Sequence, residues 1–293
     1  MQTSNRKFFF KAIILFASSV TSGAIITSVK ILVIDLDPQG NATTGLGLSN
    51  VGNSSDTIYG VLNGTRQINE IIKRTQFENL DIITSNVDLS GLEVETADDS
   101  NRAFILKAKL TAYLNNSRGL YDYVLIDCPP SLSLLTVMAL VCSNSLLVPL
   151  QTEFFALEGL TQLMKTIERI KVSLNPDLKI RGILLTMYDK RNKLSSQVEK
   201  EARDYFSEKV YSTVIPRNVR LSEAPSHGMP VLIYDKSCPG SPFPCSYNGQ
   251  CDHTTGQCIC NEGHQGFDCS GNSICCKVTG QNLQFFSSHA SDS

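Results

Sequence analysis

The chain has 293 residues, with 26 Lys and Arg against 28 Asp and Glu, a formal net charge of −2, and 42% hydrophobic residues. This length and apolar content allow one large α/β domain with a small module, and they exclude wholesale disorder. The near-neutral balance gives no bulk-charge argument for nucleic-acid binding. Eight of the ten cysteines lie between Cys238 and Cys276, so two different chemistries share the chain.

The first 29 residues have the layout of a secretory signal peptide. Arg6, Lys7 and Lys11 form a basic start, residues 12–29 carry no charge, and small residues follow the apolar run 13–16. A membrane anchor fits less well, because the uncharged run is short and rich in Ser, Thr and Gly. The other alternative is a buried strand and helix at the front of the next domain.

Five short runs that are rich in apolar residues predict strands buried on both faces of a parallel sheet. They span residues 31–34, 123–126, 145–150, 180–186 and 211–215. Between the third and fourth runs, apolar residues recur three and four positions apart from Leu157 to Ile170, the period of an amphipathic helix. This alternation predicts a doubly wound, mainly parallel α/β domain over residues 30–241.

Acidic residues end two of the predicted strands. Asp35 and Asp37 follow the first run, and Asp127 follows the second. The carboxyl ends of parallel strands face the ligand crevice, so these side chains are expected to converge there. Four apolar residues followed by an acid is the Walker B arrangement, in which the carboxylate holds magnesium, often through water. The alternative is that each residue only caps the helix that follows.

Several segments, in the right order, closely resemble the ParA/Soj partition ATPases, which are relatives of MinD. They include ILVIDLDPQGNATTGLG, NLDIITSNVDLSG, YDYVLIDCPPSLSLLTVMAL and VIPRNVRLSEAPSHGMPVLIYDK. The resemblance covers residues 30–241 and implies a deviant P-loop NTPase fold of the CbiA type that acts on Mg-ATP. It also implies that Asp37 positions the attacking water, that Asp127 helps to hold magnesium through water, and that Asp35 belongs to the nucleotide site.

The same resemblance assigns the segment after the last predicted strand. Pro216 would lie beside the nucleotide base. Arg217 and Arg220 resemble the arginines that contact DNA phosphates without regard to sequence. The partners implied are non-specific DNA and a partition partner protein.

The chain departs from the family at both ends of the resemblance, so we expect a truncated fold. The family opens with a strand that runs into a K-G-G-x-G-K-[ST] loop, whose amides and lysines bind the phosphates. No Lys or Arg occurs between Lys11 and Lys30, and the family's first strand, first helix and final helix are expected to be missing. We therefore expect no tight ATP binding, no appreciable hydrolysis and no ATP-driven dimer.

The cysteine-rich segment 238–269 contains six cysteines that permit fifteen pairings. Its spacing lacks the paired two-residue or four-residue intervals of zinc fingers, so we expect disulfides and no zinc. The segment resembles an EGF-like module of the tenascin or teneurin kind. That resemblance implies the pairs Cys238–Cys251, Cys245–Cys258 and Cys260–Cys269. Residues 270–293 are expected to form a disordered tail.

The two halves of the chain favour different compartments. With a signal peptide and disulfides, the protein would be secreted and would bind an extracellular protein partner through the EGF-like module, with the α/β part as an inactive passenger. Without a signal peptide, a partition ATPase would work in the cytoplasm. The sequence leaves both interpretations open.

Overall fold

The computed structural model describes one short strand near the N-terminal end, four longer stretches of the chain and four short strands near the C-terminal end. These are residues 12–15, 29–48, 52–117, 120–154 and 156–234, and residues 249–252, 257–260, 276–279 and 282–285. For residues 12–15 and for the four C-terminal strands, only the backbone is described.

An eight-stranded sheet forms the centre of the molecule. Its strands are β1 (Ala12–Leu15), β2 (Ile31–Asp35), β3 (Ile72–Arg74), β4 (Leu80–Ile83), β5 (Tyr123–Asp127), β6 (Ser145–Gln151), β7 (Lys179–Tyr188) and β8 (Val210–Pro216). Their order is β3-β4-β2-β5-β1-β6-β7-β8. Within this sheet, only the edge pair β3–β4 is antiparallel among the described pairings. The predicted mainly parallel sheet is confirmed, and each of the five predicted strands is present.

Helices connect the strands. They are α1 (Asn41–Gly45), α2 (Ile58–Leu62), α3 (Ile68–Ile71), α4 (Leu92–Glu95), α5 (Ile105–Asn116), α6 (Leu134–Cys142), α7 (Ala156–Ser173), α8 (Lys193–Phe206), α9 (Val219–Glu223) and α10 (Val231–Tyr234). The helix predicted from Leu157 to Ile170 is α7. Helix α8 begins where the Asn192 side chain accepts a hydrogen bond from the Leu194 N–H, which satisfies a donor of the first turn. Among the described residues, no helix has both the length and the apolar character that crossing a bilayer requires.

Both faces of the sheet are buried. In β2, Leu32 and Ile34 belong to one apolar cluster, whereas Val33 belongs to a second cluster on the opposite face. Strand β5 alternates in the same way, with Ile126 in the first cluster and Leu125 in the second. Successive side chains of a strand point to opposite faces, so a continuous apolar run is what a strand covered on both sides needs.

Residues 12–15 correct one expectation from the sequence. Strand β1 lies between β5 and β6, with Leu15 opposite Asp127 and Ile14 opposite Leu146. The expectation that the family's opening strand is missing is therefore wrong. A four-residue apolar segment can complete a central strand because the backbone groups of both neighbours supply its hydrogen bonds. This placement agrees with the buried alternative for the first 29 residues rather than with a signal peptide.

Two antiparallel hairpins follow the main sheet. The first pairs β9 (Gly249–Asp252) with β10 (Gln257–Cys260), and the second pairs β11 (Cys276–Thr279) with β12 (Asn282–Phe285). The second hairpin lies within residues 270–293, where we expected a disordered tail, and the other residues of this segment lie outside the described part of the chain. Its two strands flank a Gly-Gln pair in the sequence, and Gly followed by another residue is a common two-residue hairpin connection.

The six cysteines assigned to the EGF-like module have side chains outside the described part of the structure. Of these six, Cys251, Cys258 and Cys260 lie in β9 and β10, and the backbones of Cys251 and Cys258 are paired directly across the hairpin. The proposed disulfides, including those of Cys238, Cys245 and Cys269, stay predictions.

Candidate functional site: the carboxyl edge of the sheet

The carboxylates of the two predicted strand ends meet at one edge of the sheet. Strands β2 and β5 are parallel neighbours whose register places Asp35 opposite Asp127. The Leu36 N–H donates to the Asp127 backbone carbonyl at 2.7 Å. The Asp37 N–H donates to Asp35 Oδ1 at 3.1 Å. The predicted convergence of Asp35, Asp37 and Asp127 at the carboxyl edge is therefore confirmed.

Asp35 is fully buried and fixes the loop that follows its own strand. Its Oδ2 accepts hydrogen bonds from the Thr43 N–H at 2.8 Å and from Thr43 Oγ1 at 2.7 Å. Thr43 Oγ1 in turn accepts from the Ser85 N–H at 3.0 Å, so one hydroxyl ties the loops after β2 and β4 together. Burial raises the pKa of Asp35 from its usual 3.8 to about 6, although the bonds from Thr43 work in the opposite direction.

Asp127 is also buried, with 3% of its surface exposed. Burial, and then the negative charges of Asp35 and Asp37, raise its pKa well above the usual value. No positive group figures among the influences on either buried carboxylate in the described part of the chain. Carboxylate oxygens are ligands that Mg²⁺ prefers, and a divalent cation would supply the missing charge. The arrangement therefore fits a magnesium ion beside Asp127.

Such an ion would need further ligands from outside the protein side chains. In the described ranges, no group of three His, Cys, Asp or Glu side chains lies close enough together to hold a metal ion by itself. Mg²⁺ commonly binds through one or two carboxylates and completes its shell with water and substrate phosphates. Asp127 would act in this way when the ion is bound.

Asp37 lies just beyond the end of β2, next to the buried carboxylates of Asp35 and Asp127, and is partly exposed. Its Oδ1 accepts from the Gln39 N–H at 3.0 Å, and its carbonyl accepts from the Gly40 N–H at 2.9 Å. These bonds close a turn that holds the carboxylate at the edge. A cavity of about 270 Å³ opens beside this turn, between the loop after β2 and the loop containing Ser85. Asp37 is thus positioned to accept a proton or a hydrogen bond from a water molecule at the edge.

The segment after β8 returns to this edge. Gly228 packs directly on Gly47, such that a Cβ atom on Gly228 would lie 2.6 Å from the Gly47 Cα. Gly228 also has φ of +63°, a conformation that favours glycine. The Gln76 Nε2–H donates to the Gly228 carbonyl at 3.1 Å. The segment therefore packs against the residues that directly follow helix α1, which contains Thr43.

Pro216, Arg217 and Arg220 lie at a different place on the same edge. Pro216 ends β8, and three strands separate β8 from β5. With neighbouring strands about 4.8 Å apart, the two strand ends are roughly 19 Å from each other. Among the described ion pairs, Arg217 and Arg220 contact Glu153 and Glu223 rather than the three aspartates of the edge. Arg217 and Arg220 are more than half exposed, as a contact surface for phosphates requires.

Thr43 and Ser85 are the residues of this site that the sequence did not indicate. Thr43 lies in helix α1 and Ser85 in the loop after β4, and their contact depends on how close two strand ends lie in the folded sheet. A hydroxyl eight residues after an acid has no spacing that distinguishes it from other residues. Only the fold reveals that Thr43 completes the hydrogen bonding of Asp35.

The parallel sheet and the carboxylates at its carboxyl edge define a mixed α/β fold of the P-loop NTPase type. A model of the AAA domain family matches residues 17–180. The chain is 53% identical over 212 residues to the chromosome partitioning protein ParA of Caulobacter vibrioides, covering 72% of this chain and 78% of that protein. It is 47% identical over 226 residues to the sporulation initiation inhibitor protein Soj of Bacillus subtilis, covering 76% of this chain and 87% of that protein. The chain belongs to the ParA/Soj family of partition ATPases.

A solved structure agrees with this assignment. Cobyrinic acid a,c-diamide synthase from Mycobacterium smegmatis, with bound ATP analog and magnesium, superimposes with a TM-score of 0.64 at 29% identity. The match covers 78% of this chain and 94% of that protein. The family assignment thus rests on both sequence and fold. The matches with ParA, Soj and this enzyme carry no indication of the EGF-like module.

Proposed function

We propose that the chain is a nucleotide-dependent partition switch that takes Mg-nucleotide at the carboxyl edge, beside β2 and β5. The observation that carries this proposal is the buried, uncompensated pair Asp35 and Asp127, which a divalent cation would neutralise. In this proposal Asp127 holds the ion through water, Asp35 keeps the loop of Thr43 in place, and Asp37 orients the attacking water. The ATP analog and magnesium in the related synthase support the choice of ligand.

Hydrolysis by this chain should nevertheless be slow. The phosphate-binding part of the site would fall on residues 16–28, which contain no Lys or Arg and lie outside the described residues. Each charge-assisted contact to a buried group is worth about 1.5–3 kcal/mol, so the loss of several weakens triphosphate binding strongly. The three carboxylates add repulsion when magnesium is not bound. We propose weak, Mg-dependent nucleotide binding without appreciable turnover, and hence no ATP-driven dimer.

A fluorescent ATP analog tests this proposal in buffers with and without magnesium. We expect weak binding that magnesium strengthens, and Asp127→Ala should lose this strengthening because that variant lacks the carboxylate beside the ion. Asp177→Ala, at an exposed acid in the turn before β7, is the matched control and should bind as the wild type does. Magnesium-independent binding would refute the metal role, and steady phosphate release would refute the impaired hydrolysis.

The second part of the proposal concerns nucleic acid. We propose that Arg217 and Arg220 contact DNA phosphates without sequence preference, as the resemblance implies, with Pro216 near the nucleotide base. Both arginines are exposed, and a few phosphate contacts give a shallow dependence of affinity on salt. Retention of a short non-specific duplex, lost when both arginines are replaced by alanine, would support this contact.

For the compartment, we favour the cytoplasmic alternative. The placement of β1 inside the sheet supports it, because cleavage of a leader would remove a central strand. In the cytoplasm the cysteines of segment 238–269 would stay reduced. Non-reducing peptide mapping is the test: bridges Cys245–Cys258 and Cys260–Cys269 would instead favour the secreted, EGF-like alternative.

A further inference from the structure

Arg220 is held by an intramolecular contact on the surface proposed to meet DNA. Its Nη1 donates to Glu223 Oε2 at 3.2 Å, and the Tyr234 hydroxyl donates to the same oxygen at 3.2 Å. The guanidinium carbon of Arg220 also lies 6.0 Å from the centre of the Tyr234 ring. The ring of His227 stacks on Tyr234 at 4.8 Å. Arg220 therefore has an anionic partner and an aromatic partner already.

Arg217 has a weaker partner of its own. Its Nη2 lies 3.8 Å from Glu153 Oε1, and both side chains are 63% exposed. The Glu223 contact is closer and less exposed, since 57% of Arg220 and 41% of Glu223 are accessible. Two glutamates thus occupy the positions that phosphates would take, and Glu223 is the stronger competitor.

We propose that Glu223 is an affinity-determining residue of this surface, because it competes with nucleic-acid phosphates for Arg220. The inference rests on the proposed DNA contact of Arg217 and Arg220. A phosphate that binds Arg220 must displace Glu223, whose freed carboxylate then has to be neutralised by a cation from solution. That uptake offsets part of the counterion release that drives binding to DNA. Tyr234 strengthens the effect by orienting the carboxylate towards Arg220.

Glu223→Gln tests the proposal without removing the tyrosine contact, since the amide oxygen of glutamine still accepts that hydrogen bond. The probe is a short non-specific DNA duplex, and binding is measured by fluorescence anisotropy over a range of salt concentrations. Exposed ion pairs have modest strength, so we expect about two- to five-fold tighter binding than for the wild type. The slope of log K against log salt should become steeper by up to about 0.9, the equivalent of one further phosphate contact.

Glu168→Gln is the matched control, because Glu168 pairs with Lys171 at 3.2 Å with the same three-residue spacing, on helix α7. It removes one negative charge from the protein and leaves Arg220 untouched. Equal gains from Glu223→Gln and Glu168→Gln would show a general charge effect and would overturn the proposal.

A double-mutant cycle with Arg220→Ala completes the test. In that background Glu223→Gln should give no more gain than Glu168→Gln, because the arginine that Glu223 restrains is gone. An undiminished gain would overturn the role of Glu223 while leaving the DNA surface standing. If no variant binds the duplex, the DNA contact itself fails, and this inference fails with it. Circular dichroism spectra of all variants check that the fold is retained.

Discussion

As the pH rises, the free energy of unfolding of Asp35→Asn should increase relative to that of the wild type. Because the pKa of Asp35 is about 6 in the folded state and 3.8 in the usual unfolded state, the folded protein binds more protons between these values. The free energy of unfolding therefore falls as pH rises through this window, and it changes little beyond it. The full effect is about 3 kcal/mol, of which roughly 1.5 kcal/mol falls between about pH 5 and about pH 8.

Asparagine removes this penalty but loses at least one hydrogen bond, because its amide nitrogen accepts none and its single oxygen can serve either Thr43 or the Asp37 N–H but not both. That loss does not depend on pH. The test is therefore how the difference in free energy of unfolding between variant and wild type changes with pH. The difference should shift by about 1.5 kcal/mol in favour of Asp35→Asn from about pH 5 to about pH 8, with a further gain from the lost repulsion on Asp127.

Urea unfolding in magnesium-free buffer measures the effect. Far-ultraviolet circular dichroism is the suitable signal, because the chain contains no tryptophan. The exposed Asp177→Asn is the control, and its difference from the wild type should vary by less than about 0.5 kcal/mol across this range. A shift for Asp35→Asn as small as that of the control would refute the burial argument.

Two further substitutions test the packing. Gly228→Ala places a Cβ atom 2.6 Å from the Gly47 Cα and should lower the free energy of unfolding by about 1–3 kcal/mol. Gly64→Ala, also at positive φ but in open space, measures the cost of the backbone conformation alone. Equal losses for the two variants in urea unfolding would contradict the packing argument. Ile14→Pro should cost about 3 kcal/mol or more, because it removes a backbone donor from a central strand. Ile14→Val, which keeps that donor, is its control, and an unchanged melting temperature for Ile14→Pro would show that β1 does not contribute to the sheet.

The sequence was most informative where burial on two faces forces a continuous apolar run. Strands β2 and β5 were predictable for this reason, and so were the acids that follow them. The partner of β1 was not predictable, because an apolar run after a basic start suits both a leader and a strand. The leader and the strand are distinguished only in the folded sheet, where residues 12–15 pair with both β5 and β6. Which strand lies beside which is a tertiary property that no local pattern carries.

The candidate site likewise contains residues that the sequence predicted and contacts that it did not. The rule for strand ends predicted Asp35, Asp37 and Asp127, because it depends on chain direction alone. The contacts of Thr43 with Ser85 and of Glu223 with Tyr234 could not be predicted, because each joins residues that belong to different elements of the fold. The sequence therefore predicts which charges gather at the edge, and the structure adds what restrains them.

The charges at the edge also determine how nucleotide binding should respond to pH. Without magnesium, protonation of Asp35, whose pKa is raised to about 6, removes repulsion, so binding of the ATP analog should strengthen as pH falls from about 8 to about 5. With magnesium the order should reverse, because the ion needs ionised Asp127 as a ligand. The phosphates of the analog also titrate, so the comparison that decides is between wild type and Asp35→Asn in magnesium-free buffer. If the variant keeps the full pH dependence, Asp35 is not the group whose ionisation repels the nucleotide, and this explanation of the pH dependence is refuted.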